Sequence, residues 1–119
     1  MARSLVFPKA RRLTRTAEFD RVRREGRVFR GELLTLAIVF DEPHAATRAG
    51  VITSRKMGGA VARNRLRRRL REIVRQHQHE IMAGLWIVTI GSARASRASF
   101  DSLKDDWLRL ARRASILAP

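Results

Sequence analysis

Three patterns predict an α+β fold. Leu33 to Phe40 alternates Leu34, Leu36, Ile38 and Phe40 with Leu33, Thr35, Ala37 and Val39; both sides are mostly apolar, which marks a central strand covered on each face. From Ala62 onward, Ala62, Leu66, Leu70, Ile73, Val74 and His77 share one stripe at about 100° per residue, the spacing of an amphipathic helix. A similar stripe, Phe100, Leu103, Trp107, Leu110 and Ala114, predicts another helix. Sheet and helices in so short a chain imply a sandwich about a single core.

The 119 residues suit one domain, and 45% hydrophobic content is enough for a modest core. Residues 1 to 15 read as a basic, partly mobile arm that touches backbone phosphate. It carries Arg3, Lys9, Arg11, Arg12 and Arg15 with no acid before Glu18. Thr16 is expected to cap a helix over Ala17–Glu25, with Glu18 and Asp20 near its positive end and Gly26 as its stop. Phe19 and Val22 share a face with Arg23. After the central strand, Asp41-Glu42-Pro43-His44 makes a turn, and a second strand runs from about Arg48 to Ser54. The stripe helix follows. A third strand, Leu85 to Ile90, is opened by Gly84 and closed by Gly91-Ser92, and the last helix runs from about Phe100 to Ala114. Its Asp101, Asp105 and Asp106 lie toward the start and Arg109, Arg112 and Arg113 toward the end, as a helix dipole favours. The order is helix, strand, strand, helix, strand, helix, with room for a further short strand split from one of these. The connection rule predicts a right-handed crossover around the middle helix, if its flanking strands are parallel.

Charge is concentrated in that middle helix. Arg55 to Arg75 holds nine cations and one acid, Glu72, supplying +8 of the chain's net +15. On the side opposite the apolar stripe, Asn64, Arg67, Arg68, Arg71 and Arg75 gather as a ridge. Neighbouring cations there stand roughly 5 to 6 Å apart, comparable with phosphates along a nucleic-acid strand. A merely solvated face mixes signs into i,i+4 pairs; here only Glu72 is available, to pair mainly with Arg68 or Gln76. Gly58-Gly59 ahead of the helix allows positive φ or close approach, and leaves amides open at a helix N-terminus, a place that favours phosphate. Arginine supplies 23 of the 26 cations, and a pI near 12.0 points to a polyanionic partner, most often nucleic acid.

Catalytic chemistry is sparse. The absence of cysteine removes disulfides, thiolate nucleophiles and cysteine-ligated zinc. His77 and His79 diverge on a helix, and with Glu80 they could meet a metal only if the helix has ended. No paired carboxylates, Walker loop or nucleophile-base set appears. No catalytic or metal residue is therefore assigned, and if the chain takes part in a reaction another molecule must supply the active site. Apolar runs are too short to span a bilayer, so a soluble intracellular protein without membrane attachment is expected.

Lys56 through Glu72, with Gly59-Ala60-Val61 leading into Arg63-Asn64-Arg65 and then Arg67-Arg68-Arg69-Leu70-Arg71-Glu72, resembles the signature of the bacterial ribonuclease P protein subunit. The likeness extends to the basic arm, the Thr16-to-Phe19 helix start, Asp41-Glu42-Pro43, Gly50 and the closing helix. It implies a cytoplasmic subunit that binds a catalytic RNA and the 5′ leader of precursor tRNA, with no obligate protein partner. The RNA performs the hydrolysis, and Mg²⁺ enters through that RNA, not through a cofactor of the protein. The implied fold is a two-layer sandwich with a mostly antiparallel sheet of about four strands and three helices, ribosomal-protein-S5-domain-2-like, with a left-handed crossover. That implied handedness opposes the general rule.

Carried residue by residue, Lys56, Arg63, Asn64, Arg65, Arg67, Arg68 and Arg71 match the signature's RNA-touching positions. Arg55 and Arg75 at the ends of the basic stretch, and Arg11, Arg12 and Arg15 in the arm, join them as expected RNA contacts. The resemblance implies a leader cleft walled by Phe19, Leu36, Ile38, Ile52 and Ser54. Arg23 stands in it where many relatives have a second aromatic, and Ile38 where some have tyrosine. Base stacking is then reduced, with an Arg plane as partial substitute. A ribosomal or assembly protein would share the basic helix. Arginines spread so uniformly suit phosphate better than the base edges a duplex-DNA reader needs. A nuclease in its own right would require an acid cluster, and a membrane-surface helix would need the apolar stripe that the core takes.

Overall fold

The computed structural model describes residues 11–54 and 58–117. Its elements are α1 (Thr16–Glu25), β1 (Arg27–Arg30), β2 (Leu34–Phe40), β3 (Arg48–Thr53), α2 (Ala60–Gln76), β4 (Leu85–Gly91) and α3 (Phe100–Arg113), with a short 3-10 helix, Ala93–Arg97, before α3. The sheet order is β1-β2-β4-β3. β2 pairs antiparallel with β1 and β4, and β3 pairs parallel with β4. The central place foreseen for Leu33–Phe40 is therefore right, and the α+β class holds. The extra strand is β1, which hairpins onto β2 through Gly31, whose amide donates to Leu34 O at 2.8 Å.

Register fixes which residues share a face. Leu36 pairs with Phe29 and Thr89, and Ile38 with Ile87, which pairs with Ala49. This set packs against Leu66, Leu70, Ile73 and Val74 of α2 and Leu103, Trp107, Leu110 and Ala111 of α3. Trp107 is fully buried, and its indole N–H donates to Thr89 Oγ1 at 3.2 Å, so the largest core residue leaves no orphaned donor. The opposite face carries Ala37, Val39 and Val88, covered by Val22 of α1 and by Leu13. Helices thus lie on both faces, α2 and α3 together on one and α1 alone on the other.

The β3-α2-β4 crossover is left-handed. The Ala49 side chain faces α2, while its carbonyl accepts from Leu13 N at the sheet's outer edge. With β3 running upward and α2 toward the viewer, L-chirality then places that edge on the right and β4 on the left. This breaks the general rule, as the resemblance implied.

Local details differ from the sequence reading. Thr16 is the first helical residue, not the cap. Arg15 holds the cap position, and Glu18 closes the turn by accepting from Arg15 N at 2.9 Å and Thr14 N at 3.0 Å. The longer Glu18 side chain reaches back to both amides from within the first turn. Asp106 is not a dipole-balancing surface acid. It is buried in α3, accepts from Leu33 N and Leu34 N at 3.1 and 2.9 Å, and so pins the β1–β2 hairpin to the helix.

Candidate nucleic-acid interface

The helix α2 begins after a backbone that only glycine adopts easily, Gly58 at φ 118°, and Gly59 caps it without any side-chain hydrogen bond. Its apolar stripe is sunk in the core through Leu66, Leu70, Ile73 and Val74. That burial fixes the rotation of the helix, so the remaining circumference must be solvent-facing. Asn64, Arg65, Arg68 and Arg71 are exposed, and Arg63, Arg67 and Arg75 are half-buried along the flanks. Arg67 is held by Asn64 Oδ1 and Thr53 Oγ1, each at 3.1 Å, which ties the ridge to β3. Arg69, absent from the predicted contacts, donates to Ala98 O at 3.1 Å on the opposite flank.

Glu72 pairs with Arg75, not Arg68, while Gln76 also donates to it at 3.2 Å as foreseen. Helical side chains lean toward the N-terminus, so Arg75 reaches back over Glu72 more readily than Arg68 reaches forward. The Arg75 hydrogen bond holds the Glu72 carboxyl below its usual range. Arg71 has the reverse environment. Desolvation at its base lowers its guanidinium's pKa although the side chain is exposed, and the cations of Arg67 and Arg12 push the same way. Like charges therefore converge where α2 meets β3.

Of the expected arm, residues 11 to 15 are fixed at that same edge; Arg3 and Lys9 lie outside the described residues. Arg12 bridges in parallel to Ala49, Leu13 N donates to Ala49 O at 2.8 Å, and Arg11 Nε donates to Thr47 O at 3.2 Å. Arg15 is exposed at the start of α1. Arg55 and Lys56 lie outside the described residues.

The leader cleft needs one correction. Leu36 and Ile38 are buried on the α2/α3 side of the sheet and cannot line a groove beside Phe19. Their alternate neighbours face α1. Thr35 pairs with Ile90, and Ile90 with Ile52, in a half-buried row across three strands. Phe19 lies over Gly50 on this face so closely that an added Cβ would sit 2.6 Å from its ring, which explains the glycine. Arg23 is one turn further along α1 and exposed on the same flank, since Arg21 on the other flank stacks on Trp86 at 4.6 Å. Ser54 ends the row, exposed beyond β3. The groove is thus Phe19, Arg23, Thr35, Ile52, Ser54 and Ile90. Thr35 belongs to the groove because the α1 face of β2 carries the set alternate to Leu36 and Ile38, and Ile90 joins it only through the pairing of β4 with β2, which no local pattern shows.

The histidines do not form a metal set. The helix does end at Gln76, but His77 stacks on Trp107 with ring centroids 5.8 Å apart and pairs with Glu80. Among the described residues no three His, Cys, Asp or Glu side chains converge as metal ligands, and no helix is long and apolar enough to cross a membrane.

A cationic helix face joined at a sheet edge to a half-open apolar groove defines a nucleic-acid-binding protein of α+β fold. The family model described as Ribonuclease P matches residues 7–115. A ribonuclease P protein component from Pseudanabaena is 36% identical over 113 residues, covering 94% of this chain and 97% of that one. Another, from Chloroflexus aurantiacus, is 42% identical over 110 residues, covering 92% and 81%. The RNase P protein of Thermotoga maritima superposes with a TM-score of 0.76 at 29% identity, covering 86% and 96%. That of Staphylococcus aureus gives 0.84 at 24% identity, covering 92% and 99%, a likeness of fold. The chain belongs to the ribonuclease P protein family. It is a protein component of the ribonuclease P endoribonuclease, an RNA-binding protein of tRNA processing, and none of these relatives supports the ribosomal alternative.

Proposed function

We propose that the chain acts as one RNA-binding domain in the cytoplasm, docking on the ribonuclease P RNA through α2 and guiding the 5′ leader of precursor tRNA along the α1 face. The observation that carries this reading is the meeting of the two surfaces at the β3 edge. There the ridge of Asn64, Arg67, Arg68 and Arg71 adjoins the groove of Phe19, Thr35, Ile52 and Ile90. A strand lying on the half-buried apolar row would pass beside cations able to take its phosphates.

The protein itself does not cut. Several of its acids already serve structure: Glu18 caps α1, Asp41 binds Arg21 at 2.9 Å, Glu72 binds Arg75, and Asp106 pins the hairpin. Among the described residues no cluster of metal-ligating side chains forms, and in this reading the Mg²⁺ of the reaction is held by the RNA. Neutralising phosphate lets RNA and substrate approach with less repulsion, which lowers the Mg²⁺ needed.

The test is cleavage of precursor tRNA by protein alone, RNA alone and both. Protein alone should leave the substrate intact, and the pair should cleave at lower Mg²⁺ than RNA alone. Cleavage by RNA-free protein would refute the reading.

A further inference from the structure

Arg48 lies outside both the basic helix and the groove, yet it joins three elements. It leaves β3 on the α1 face, donates to the Glu18 carboxylate, and donates to Arg12 O at 3.0 Å. Its guanidinium carbon also sits 5.3 Å from the centroid of the Trp86 ring. Burial pushes the Glu18 carboxyl up, but the amides of Arg15 and Thr14 and the Arg48 guanidinium outweigh it and hold Glu18 below its usual value. Arg48 therefore clamps the backbone of residues 12 to 15 from two sides. The Arg12 bridge to Ala49 lies within that clamped stretch.

What the clamp fixes is the base of the Arg12 side chain. Arg67 is tied to Thr53 of the same strand, and Arg71 lies one helical turn further along α2. Two of these guanidiniums come from α2 and one from the arm, 55 residues earlier than Arg67. Arg71 feels both Arg67 and Arg12 as neighbouring like charges, and a phosphodiester accepting from several guanidinium forks turns such repulsion into attraction.

We infer that Arg12, Arg67 and Arg71 form one composite site for an RNA backbone phosphate, and that Arg48 is the positioning residue that keeps Arg12 in it. The inference rests on the RNA-binding reading above and deepens it. Lysine at 48 would keep the charge but has no planar fork to serve Glu18 and the Arg12 carbonyl together.

The experiment measures affinity for the ribonuclease P RNA across about 50 to 300 mM salt, the range over which counterion release is read. It uses the parent, Arg12→Ala, Arg48→Ala, the double variant, Arg48→Lys and Arg67→Ala, each at a temperature where circular dichroism shows it folded. Arg12→Ala and Arg48→Ala should each reduce the log–log salt slope by about 0.7 to 0.9, the loss of one phosphate contact. The double variant should lose no more than either alone, and Arg48→Lys should fall between parent and Arg48→Ala. If Arg48→Ala does not fold, the intermediate slope of Arg48→Lys carries the test. An Arg48 that merely stabilises the fold would lower Tm and leave the slope unchanged, and that result, or additive slopes in the double variant, overturns the inference. An unchanged slope in Arg12→Ala beside a reduced one in Arg67→Ala also overturns it, while sparing the RNA-binding reading. A parent with no salt dependence would remove that reading first.

Discussion

The two faces of the sheet are made of similar residues and do different work. On the α2/α3 face, Leu34, Leu36, Ile38 and Ile87 are almost wholly buried under two helices. On the α1 face, Ile52 and Ile90 are equally apolar but stay half-exposed, because a single ten-residue helix covers only part of that side. The difference lies in the cover, not the composition. A face sealed by two helices yields stability, whereas a face left partly open retains apolar surface for a partner.

Breaking the sealed face should be the most damaging change. Trp107→Ala is expected to cost about 3 to 5 kcal/mol, through the cavity and the lost partner of Thr89, measured as a shift of the urea midpoint. Leu36→Ala and Leu70→Ala should each cost about 2 to 5 kcal/mol in the same assay. Ile52→Ala sharpens the contrast. Its half-exposed side chain should cost only about 1 kcal/mol of stability, yet weaken binding of precursor tRNA relative to the same tRNA without its leader. Equal stability losses for Leu36→Ala and Ile52→Ala, with no leader effect, would erase the distinction between faces.

Changes to the cationic ridge should act on binding alone. Arg71→Ala is expected to move stability by less than about 0.5 kcal/mol while lowering the salt slope of RNA binding. If about six phosphates are engaged, raising salt from roughly 50 to 200 mM should cost the parent on the order of a thousandfold in affinity.

The smallest effect is acid sensitivity at the clamp. Glu18, Asp41 and Glu72 all have folded pKa values below their ordinary ones, Glu18 by its amide and Arg48 bonds, Asp41 through Arg21, and Glu72 through Arg75. Their contribution is present above the unfolded values near pH 4 and is lost as pH falls through the lower folded values. Glu18→Gln keeps an oxygen for the two amides but removes the titrating charge, and should flatten the stability profile below about pH 4. A profile unchanged from the parent's would contradict the assignment.

Much of this was legible in the sequence because it is local. The α2 stripe repeats at helical spacing, and its four innermost residues are the buried ones. β2 was legible as a central strand for the same reason that its phase was not. Two apolar sets alternate along it, and nothing within Leu33–Phe40 says which set faces α1. β1 was hidden by its length, four residues with arginine at both ends. The roles of Asp106 and Arg48 depend on partners 72 and 36 residues away, which no local pattern reveals. The left-handed crossover was available only by resemblance, since the physical rule points the other way.

The most direct measurement of the central claim is photo-cross-linking from a precursor tRNA carrying 4-thiouridine along its 5′ leader, in the assembled holoenzyme, with adducts mapped by mass spectrometry. Adducts should fall on the α1 face, in peptides bearing Phe19, Thr35, Ile52 or Ile90, and on the β3 edge where α2 begins. Adducts confined to the exposed side of α3, with none on the α1 face, would contradict the account.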